Sequence, residues 1–163
     1  MARNCFFSFH YANDFERVAQ VRNMGVIDGN PPLSDSDWEA VTKGGDEAVQ
    51  GWIDSQMTGR ACAVVLVGTA TAGRKWITYE VQKAWNLGMG LLGIRIHALE
   101  NLAGETSGQG GNPFDGLSVN GIALSSIAPL HFPTTANGQT IYDNIRSNLD
   151  SWVEQAIAIR HRY

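Results

Sequence analysis

The sequence predicts an α/β fold in which helices cover both faces of a mainly parallel sheet. Short apolar runs alternate along the chain with segments whose apolar residues recur every three or four positions. The central run, residues 61–67, is almost wholly apolar, as expected for a strand buried on both faces. A long amphipathic segment closes the chain, with one face formed by Ile141, Ile145, Leu149, Trp152, Val153 and Ala156.

Length and composition predict a single domain over residues 1–163. The chain has 163 residues, of which 44% are hydrophobic and 17% charged, and this composition suits a packed core rather than disorder. A formal net charge of -4 argues against a general nucleic-acid-binding protein. No apolar run approaches the ~20 residues that cross a membrane, and no signal peptide is recognisable. We therefore expect a cytoplasmic protein without membrane or nucleic-acid partners.

Metal and disulfide sites are not expected. Cys5 and Cys62 both lie in apolar, strand-like runs, where a reduced cysteine behaves as a small hydrophobic residue. Two cysteines without a neighbouring pair of histidines do not make a metal-binding pattern.

The first strand is predicted at residues 4–9. Asn13 or Asp14 is expected to cap the helix that follows. Residues 25–29 predict a short second strand that ends in an acid, Asp28.

A loop and two helices are predicted next. Residues 30–36 contain two prolines, which exclude a helix there. A short helical segment follows, Gly44 and Gly45 interrupt it, and Asp46 is expected to cap the next helix. The core-facing residues of that helix are expected to be Val49, Trp52, Ile53 and Met57.

Residues 61–67 predict the third strand, which leads into a helix over residues 73–86. Ile77, Val81, Ala84 and Trp85 recur at helical spacing and predict its buried face. Residues 91–96 predict the fourth strand. Residues 100–116 are polar and rich in glycine, which indicates a long surface loop of the kind that is often functional or mobile.

A fifth strand is predicted within residues 122–130, and the last helix follows Asn137-Gly138. Five strands alternating with helices favour a flavodoxin-like three-layer sandwich with strand order 2-1-3-4-5. In such folds ligands bind beyond the carboxyl ends of the strands, between strands one and three.

Trp76 and Glu80 form a candidate active-site pair. They lie one helical turn apart, just after the third strand, so their side chains can meet. The alternative is a tryptophan partly in the core beside a glutamate in water. The predicted topology brings both toward one crevice with His10, Tyr11 and Asp28.

Four segments in this order resemble the TIR-like proteins of bacterial Thoeris antiphage defence systems. Residues 6–11 are similar to the first-strand motif of that family, and residues 25–28 to its second strand with the terminal acid. Residues 74–81 resemble the pattern of NAD-cleaving TIR enzymes, a tryptophan followed after three residues by a glutamate. Residues 111–115 resemble a loop motif of the Thoeris branch. Together these segments cover roughly residues 4 to 116.

The resemblance implies an enzyme that cleaves the nicotinamide–ribose bond of NAD. Its product would be a cyclic or modified ADP-ribose that activates a separate effector during phage infection. NAD would be the substrate, and neither a cofactor nor a metal is implied.

The same resemblance implies roles for individual residues. Glu80 would be the catalytic glutamate, and Trp76 would support it. Asp28 would lie at the pocket edge, and Asn112 is a further substrate-binding candidate. The residues expected to line the nicotinamide and ribose side are Phe9, His10 and Tyr11. Residues 30–37 would form the BB loop used in TIR–TIR self-association.

Two other functions stay open at this stage. Many TIR domains are non-catalytic interaction modules, although such an adaptor has no need of the Trp76 and Glu80 pair. A nucleoside deoxyribosyltransferase-like enzyme would use a carboxylate nucleophile on a sugar. Release of nicotinamide from NAD separates these possibilities.

Overall fold

A computed structural model of the chain describes residues 2–30 and 35–163, and the side chains of residues 35–37 and 137 lie outside that description. Helices and short strands alternate through the first two thirds of the chain. The elements are β1 (Cys5–Ser8), α1 (Tyr11–Asn23), α2 (Asp35–Lys43), α3 (Asp46–Met57), β2 (Cys62–Val67), α4 (Lys75–Asn86), β3 (Gly90–Arg95), β4 (Ser118–Val119), β5 (Ile122–Ala123), β6 (Leu130–His131) and α5 (Ile141–Arg160).

The main sheet is parallel and has the order β1-β2-β3-β6. Helices α1 and α5 pack on one face, while α3 and α4 pack on the other. Alternate residues of β2 serve the two layers: Val64 contributes to the α1 and α5 side, and Val65 to the α3 and α4 side. Every residue of β2 is buried, which explains the uniformly apolar run, as the sequence predicts. The α/β class is confirmed.

The prediction of a second strand at residues 25–29 is wrong. Within the described residues, only a single parallel bridge forms in this region, between Asn4 and Asp28. Phe7 is the next residue of β1 whose N–H points to that edge, and it donates to the side chain of Asn30 at 2.8 Å. The side-chain oxygen of Asn30 therefore takes the place of a backbone acceptor at this edge, and within the described residues the parallel sheet has four strands instead of five.

The predicted fifth strand is also corrected. Only Leu130–His131, at the end of the predicted segment, joins the sheet, where it pairs with β3. Ile122–Ala123 instead pairs with Ser118–Val119 in an antiparallel hairpin. Asn120 and Gly121 form its turn with φ angles of 50° and 79°. Asn-Gly is the preferred dipeptide for a two-residue hairpin turn, and it directs this segment away from the sheet.

The helices agree with the prediction except at two starts. Helix α1 begins at Tyr11 with His10 as its N-cap, so neither Asn13 nor Asp14 caps it. Asp46 is the first residue of α3, and Gly45 is the N-cap. The predicted buried faces of α4 and α5 are confirmed, although Ile141 and Trp152 are only partly buried. Across residues 2–30 and 35–163, no helix is long and apolar enough to traverse a bilayer.

Candidate active site

A cleft of about 970 Å³ opens beside β1, the edge strand of the sheet. This volume lies at the upper end of the ~300–1,000 Å³ typical of small-molecule sites. Phe6 belongs to the core on the α3 and α4 side, and Phe7 to the core on the α1 and α5 side. Both line the cleft, which therefore wraps around the edge of the strand.

The reduced second strand accounts for the position of this cleft. Among residues 2–30 and 35–163, pairing along the outer edge of β1 is limited to the bridge between Asn4 and Asp28. Beyond it, Asn30 satisfies the Phe7 N–H while its own side chain is almost fully buried. Asn30 is itself part of the cleft wall.

Glu80 lies in the wall contributed by α4. Its side chain is only 9% exposed, which contradicts the alternative of a glutamate in water. Helix α4 turns Ile77, Val81 and Ala84 into the core, and Glu80 follows at the edge of that apolar face. The helix therefore carries the carboxyl group into the cleft within an apolar surround.

Burial raises the pKa of Glu80 from 4.5 to about 8. The nearby Ser8 hydroxyl opposes this shift, because it favours the ionised carboxylate. No described residue completes a standard hydrogen bond with Glu80 Oε2 or with Ser8 Oγ. The free protein thus holds a mostly protonated acid at neutral pH, and its Oε2 is buried without a hydrogen-bond partner among the described residues.

Aromatic rings line the α1 side of the cleft. Phe9 and Tyr11 have ring centroids 6.2 Å apart, and Tyr11 stacks on Phe15 at 5.7 Å with an interplanar angle of 22°. Phe15 is 48% exposed, although it is a large apolar side chain. The three rings form a continuous apolar wall suited to planar ligands.

Trp76 lines the cleft from the first turn of α4. Its ring meets Tyr79 edge to face at 5.8 Å, and the ammonium of Lys75 lies 4.8 Å from its centroid. Lys75 also pairs with Asp46 at the start of α3. These contacts fix the Trp76 ring in the wall of the cleft.

His10 connects the end of β1 to the start of α1 and faces the cleft. Burial lowers its pKa, and the charge of Arg74 lowers it further. At neutral pH the imidazole is therefore predominantly uncharged.

Two predicted site residues lie outside the described cleft lining. Asp28 is exposed, and its backbone is used in the bridge to Asn4. Asn112 accepts a hydrogen bond of 2.9 Å from the Phe114 N–H, which closes a local turn. Phe9, His10, Tyr11, Trp76 and Glu80 do line one cleft. Residues 31–34 of the predicted BB loop lie outside the described residues.

Phe15, Arg22, Ser8 and Asn30 also belong to this region, although neither spacing nor the resemblance predicted them as residues of the candidate site. Phe15 and Arg22 lie seven positions apart on the face of α1 that begins with Tyr11, so helical periodicity could have identified them. Ser8 and Asn30 left no such signal, because their positions depend on the end of pairing along β1.

The long loop at residues 100–116 is anchored at the carboxyl ends of the strands. Thr69 Oγ1 donates to the Gly108 carbonyl at 2.6 Å, and an Arg95 guanidinium nitrogen donates to the Gly110 carbonyl at 2.7 Å. Arg17 donates to the carbonyls of Leu99 and Glu105. These bonds hold the loop against the sheet, outside the cleft lining.

Comparison with known proteins places this geometry in a family context. The model of the family described as "Thoeris protein ThsB, TIR-like domain" matches residues 6–101, a range that contains every described residue of the cleft lining. The chain is 37% identical over 121 residues to a protein of Bacillus cereus (strain MSX-D12) named "Putative cyclic ADP-D-ribose synthase ThsB1". This match covers 71% of the chain and 62% of the relative, so the chain spans about three fifths of the relative's length.

Proposed function

The chain belongs to the TIR-like domain family of the Thoeris protein ThsB, and from this premise we propose that it is an enzyme that cleaves the nicotinamide–ribose bond of NAD. The observation that carries the proposal is the buried carboxyl group of Glu80 in a large, aromatic-walled cleft. The name of the Bacillus cereus relative, a cyclic ADP-D-ribose synthase designated putative, supports the same class of reaction.

Glu80 is the proposed catalytic residue. As the C1′–N bond breaks, its electron pair leaves with nicotinamide, which becomes neutral, and positive charge develops on the ribose. An ionised carboxylate stabilises that charge electrostatically, most effectively where water is excluded. Because the leaving group is already cationic in NAD, no general acid is required.

The raised pKa of Glu80 suits this role once substrate is bound. A neutral acid is tolerated in the apolar cleft of the free protein, whereas the positive nicotinamide ring favours the carboxylate. Binding of NAD is therefore expected to lower the pKa of Glu80 and to ionise it where the charge is needed.

The surrounding residues would hold the substrate. Phe9 and Tyr11 offer aromatic surface to the nicotinamide ring, and neutral His10 can hydrogen-bond to the ribose. Trp76 adds a further aromatic ring to the cleft and supports the α4 wall that carries Glu80. Asp28 and Asn112 contribute only if the bound state differs from the described geometry.

The ADP-ribosyl group must then react with a nucleophile. Water would give ADP-ribose, whereas a nucleophile within the same molecule would give a cyclic product. We propose a cyclic or otherwise modified ADP-ribose that signals to a separate effector in antiphage defence. Self-association through TIR–TIR contacts and a cytoplasmic location complete this proposal.

Nicotinamide release from NAD tests the proposed activity. Purified protein, at concentrations that permit self-association, is incubated with NAD and the products are separated by chromatography. Glu80→Gln should reduce release by roughly a hundred- to a thousand-fold or more. Glu47→Gln makes the same chemical change at an exposed site on α3 and should release nicotinamide at the rate of the natural chain.

The result distinguishes the enzyme from the alternatives. Undiminished release by folded Glu80→Gln would exclude Glu80 as the catalytic residue. A natural chain that self-associates and releases no nicotinamide would be an interaction module instead. The mass of the second product separates hydrolysis from cyclisation.

A further inference from the structure

Arg22 is a cleft residue to which the catalytic proposal gives no role. It lies in the last turn of α1, and its guanidinium carbon is 5.7 Å from the centroid of the Phe7 ring. The side chain lines the cleft and is only partly exposed. The guanidinium thus makes a cation–π contact with the Phe7 ring, which supports it at the side of the cleft.

The guanidinium of Arg22 has no acceptor in the described part of the chain. Its Nε is buried and makes no hydrogen bond, and it belongs to none of the ion pairs found there. Other cationic side chains near the sheet have partners: Arg17 donates to two carbonyls, and Lys75 pairs with Asp46. A buried donor without an acceptor is rare in folded proteins and is stabilised when a ligand supplies one.

Electrostatics point to an anionic ligand. Burial without a counter-charge lowers the pKa of Arg22, since the desolvated cation is not compensated. An anion in the cleft would restore that compensation. Glu39 also lines the cleft, but it is exposed on α2, where water screens its charge.

The position of Arg22 fits the middle of a long substrate. Ser8 is close to Glu80 and precedes α1, so the reacting end of the cleft lies near the start of that helix. The Cα atoms of Tyr11 and Arg22 are about 16 Å apart along the helix at 1.5 Å per residue. Because helical side chains tilt toward the N-terminus, the long Arg22 side chain reaches back toward the reacting end. Phe15 lies between Tyr11 and Arg22.

We propose that Arg22 is the diphosphate-binding residue of this cleft and positions NAD with its nicotinamide–ribose bond beside Glu80. This inference rests on the proposed NAD-cleaving function. A guanidinium offers two parallel N–H donors, which match two phosphate oxygens in a bidentate contact. Arg22 acts in binding and has no part in breaking the bond.

Binding measurements in a Glu80→Gln background test this assignment without catalysis. Calorimetry compares NAD with nicotinamide riboside, which has the same reacting bond and no phosphate. Arg22→Gln should weaken NAD binding by roughly ten- to a hundred-fold and leave nicotinamide riboside binding unchanged. Arg22→Lys keeps the positive charge but not the two parallel N–H donors, so its loss of affinity for NAD should be intermediate.

Arg146→Gln is the matched control, because it removes an exposed arginine from α5, outside the described cleft lining. It should leave the binding of both ligands unchanged. Thermal unfolding of each variant verifies the fold. If Arg22→Gln does not fold, the loss of affinity for NAD in Arg22→Lys tests the assignment instead.

Several results would overturn the assignment. One is an equal loss of affinity for NAD and for nicotinamide riboside. Another is an affinity for NAD that is undiminished in the Arg22 variants. The third is that the Glu80→Gln chain does not bind NAD and the natural chain does not bind ADP-ribose. If NAD binding depends on Arg22 while the natural chain releases no nicotinamide, the diphosphate site stands and the proposed catalysis fails.

Discussion

The side-chain oxygen of Asn30 accepts a hydrogen bond of 2.8 Å from the backbone N–H of Phe7, at a site where Asn30 is only 4% exposed. In the part of the chain that the structure describes, this contact stands where a further backbone hydrogen bond along β1 would form. It leaves the space beside the strand in which the cleft forms.

Asn30→Ala should therefore lower the free energy of unfolding by about 1–3 kcal/mol, because the Phe7 N–H loses its acceptor. Asn23→Ala, at an exposed position near the end of α1, should change it by less than about 0.5 kcal/mol. Urea unfolding of both variants measures the difference. Equal stability of the two would show that water replaces Asn30 without cost.

Glu80→Gln should become more stable relative to the natural chain as pH rises from about 5 to 8. The pKa of Glu80 is about 8 in the folded protein and near 4.5 when unfolded, so the folded state holds its proton more tightly. The stabilisation from that proton is complete below 4.5 and is lost as pH rises through 8. The neutral amide of Glu80→Gln does not lose stability in this way. The gain in its free energy of unfolding relative to the natural chain should reach a few kcal/mol.

Thermal unfolding at a series of pH values measures this effect. The difference between the two proteins removes the contributions of the histidines, which both proteins share. A constant difference across the range would mean that Glu80 is not held protonated by burial.

The pH dependence of catalysis should follow the same group. If ionised Glu80 is required, kcat/KM for NAD should rise with pH and level off above about 8. His10 cannot account for this rise, because its pKa is lowered from 6.5. Ser8→Ala should move the midpoint to higher pH, since the hydroxyl favours the ionised carboxylate.

The initial rate of nicotinamide release over a range of pH gives these midpoints. Ser126→Ala alters an exposed serine in the turn that precedes β6 and should leave the midpoint unchanged. A midpoint equal in the natural chain and Ser8→Ala would exclude the proposed influence of Ser8.

Phe15→Ala should weaken substrate binding with little effect on stability. The ring is 48% exposed and stacks on Tyr11, so its removal forms no core cavity but shortens the aromatic wall. We expect KM for NAD to rise several-fold, in keeping with about 0.5–1.5 kcal/mol for an aromatic contact. Phe132→Ala removes a ring of similar exposure, 52%, outside the described cleft lining and should leave KM unchanged.

Gly110→Ala should destabilise the anchored loop. A Cβ atom at this position would lie 2.3 Å from the Gly68 carbonyl oxygen, so the loop would have to move from the strand end. A loss of about 1–3 kcal/mol is expected in unfolding experiments. Gly51→Ala, on α3 with open space around its Cβ, should instead stabilise the protein by about 0.5–1 kcal/mol.

Local patterns in the sequence determined the elements of this protein. The uniformly apolar run of β2 and the stripes of α4 and α5 depend on periodicity, which any window of residues displays. The acid–aromatic pattern of Trp76 and Glu80 likewise identified a candidate site from spacing. The Asn-Gly dipeptide at residues 120–121 is a local signal of the same kind, and it indicates the hairpin that replaces most of the predicted fifth strand.

Only the tertiary structure decided where pairing along β1 ends and what lines the space beside it. Residues 25–29 have the composition of a strand, but whether they pair depends on which acceptor binds the N–H groups of β1. At Phe7 that acceptor is the side chain of Asn30 and not a backbone carbonyl. The burial of Glu80 and the unpaired state of Arg22 follow from packing among α1, α4 and β1. Spacing nominated Glu80, whereas its pKa of about 8 arises because packing removes water from around the carboxyl group.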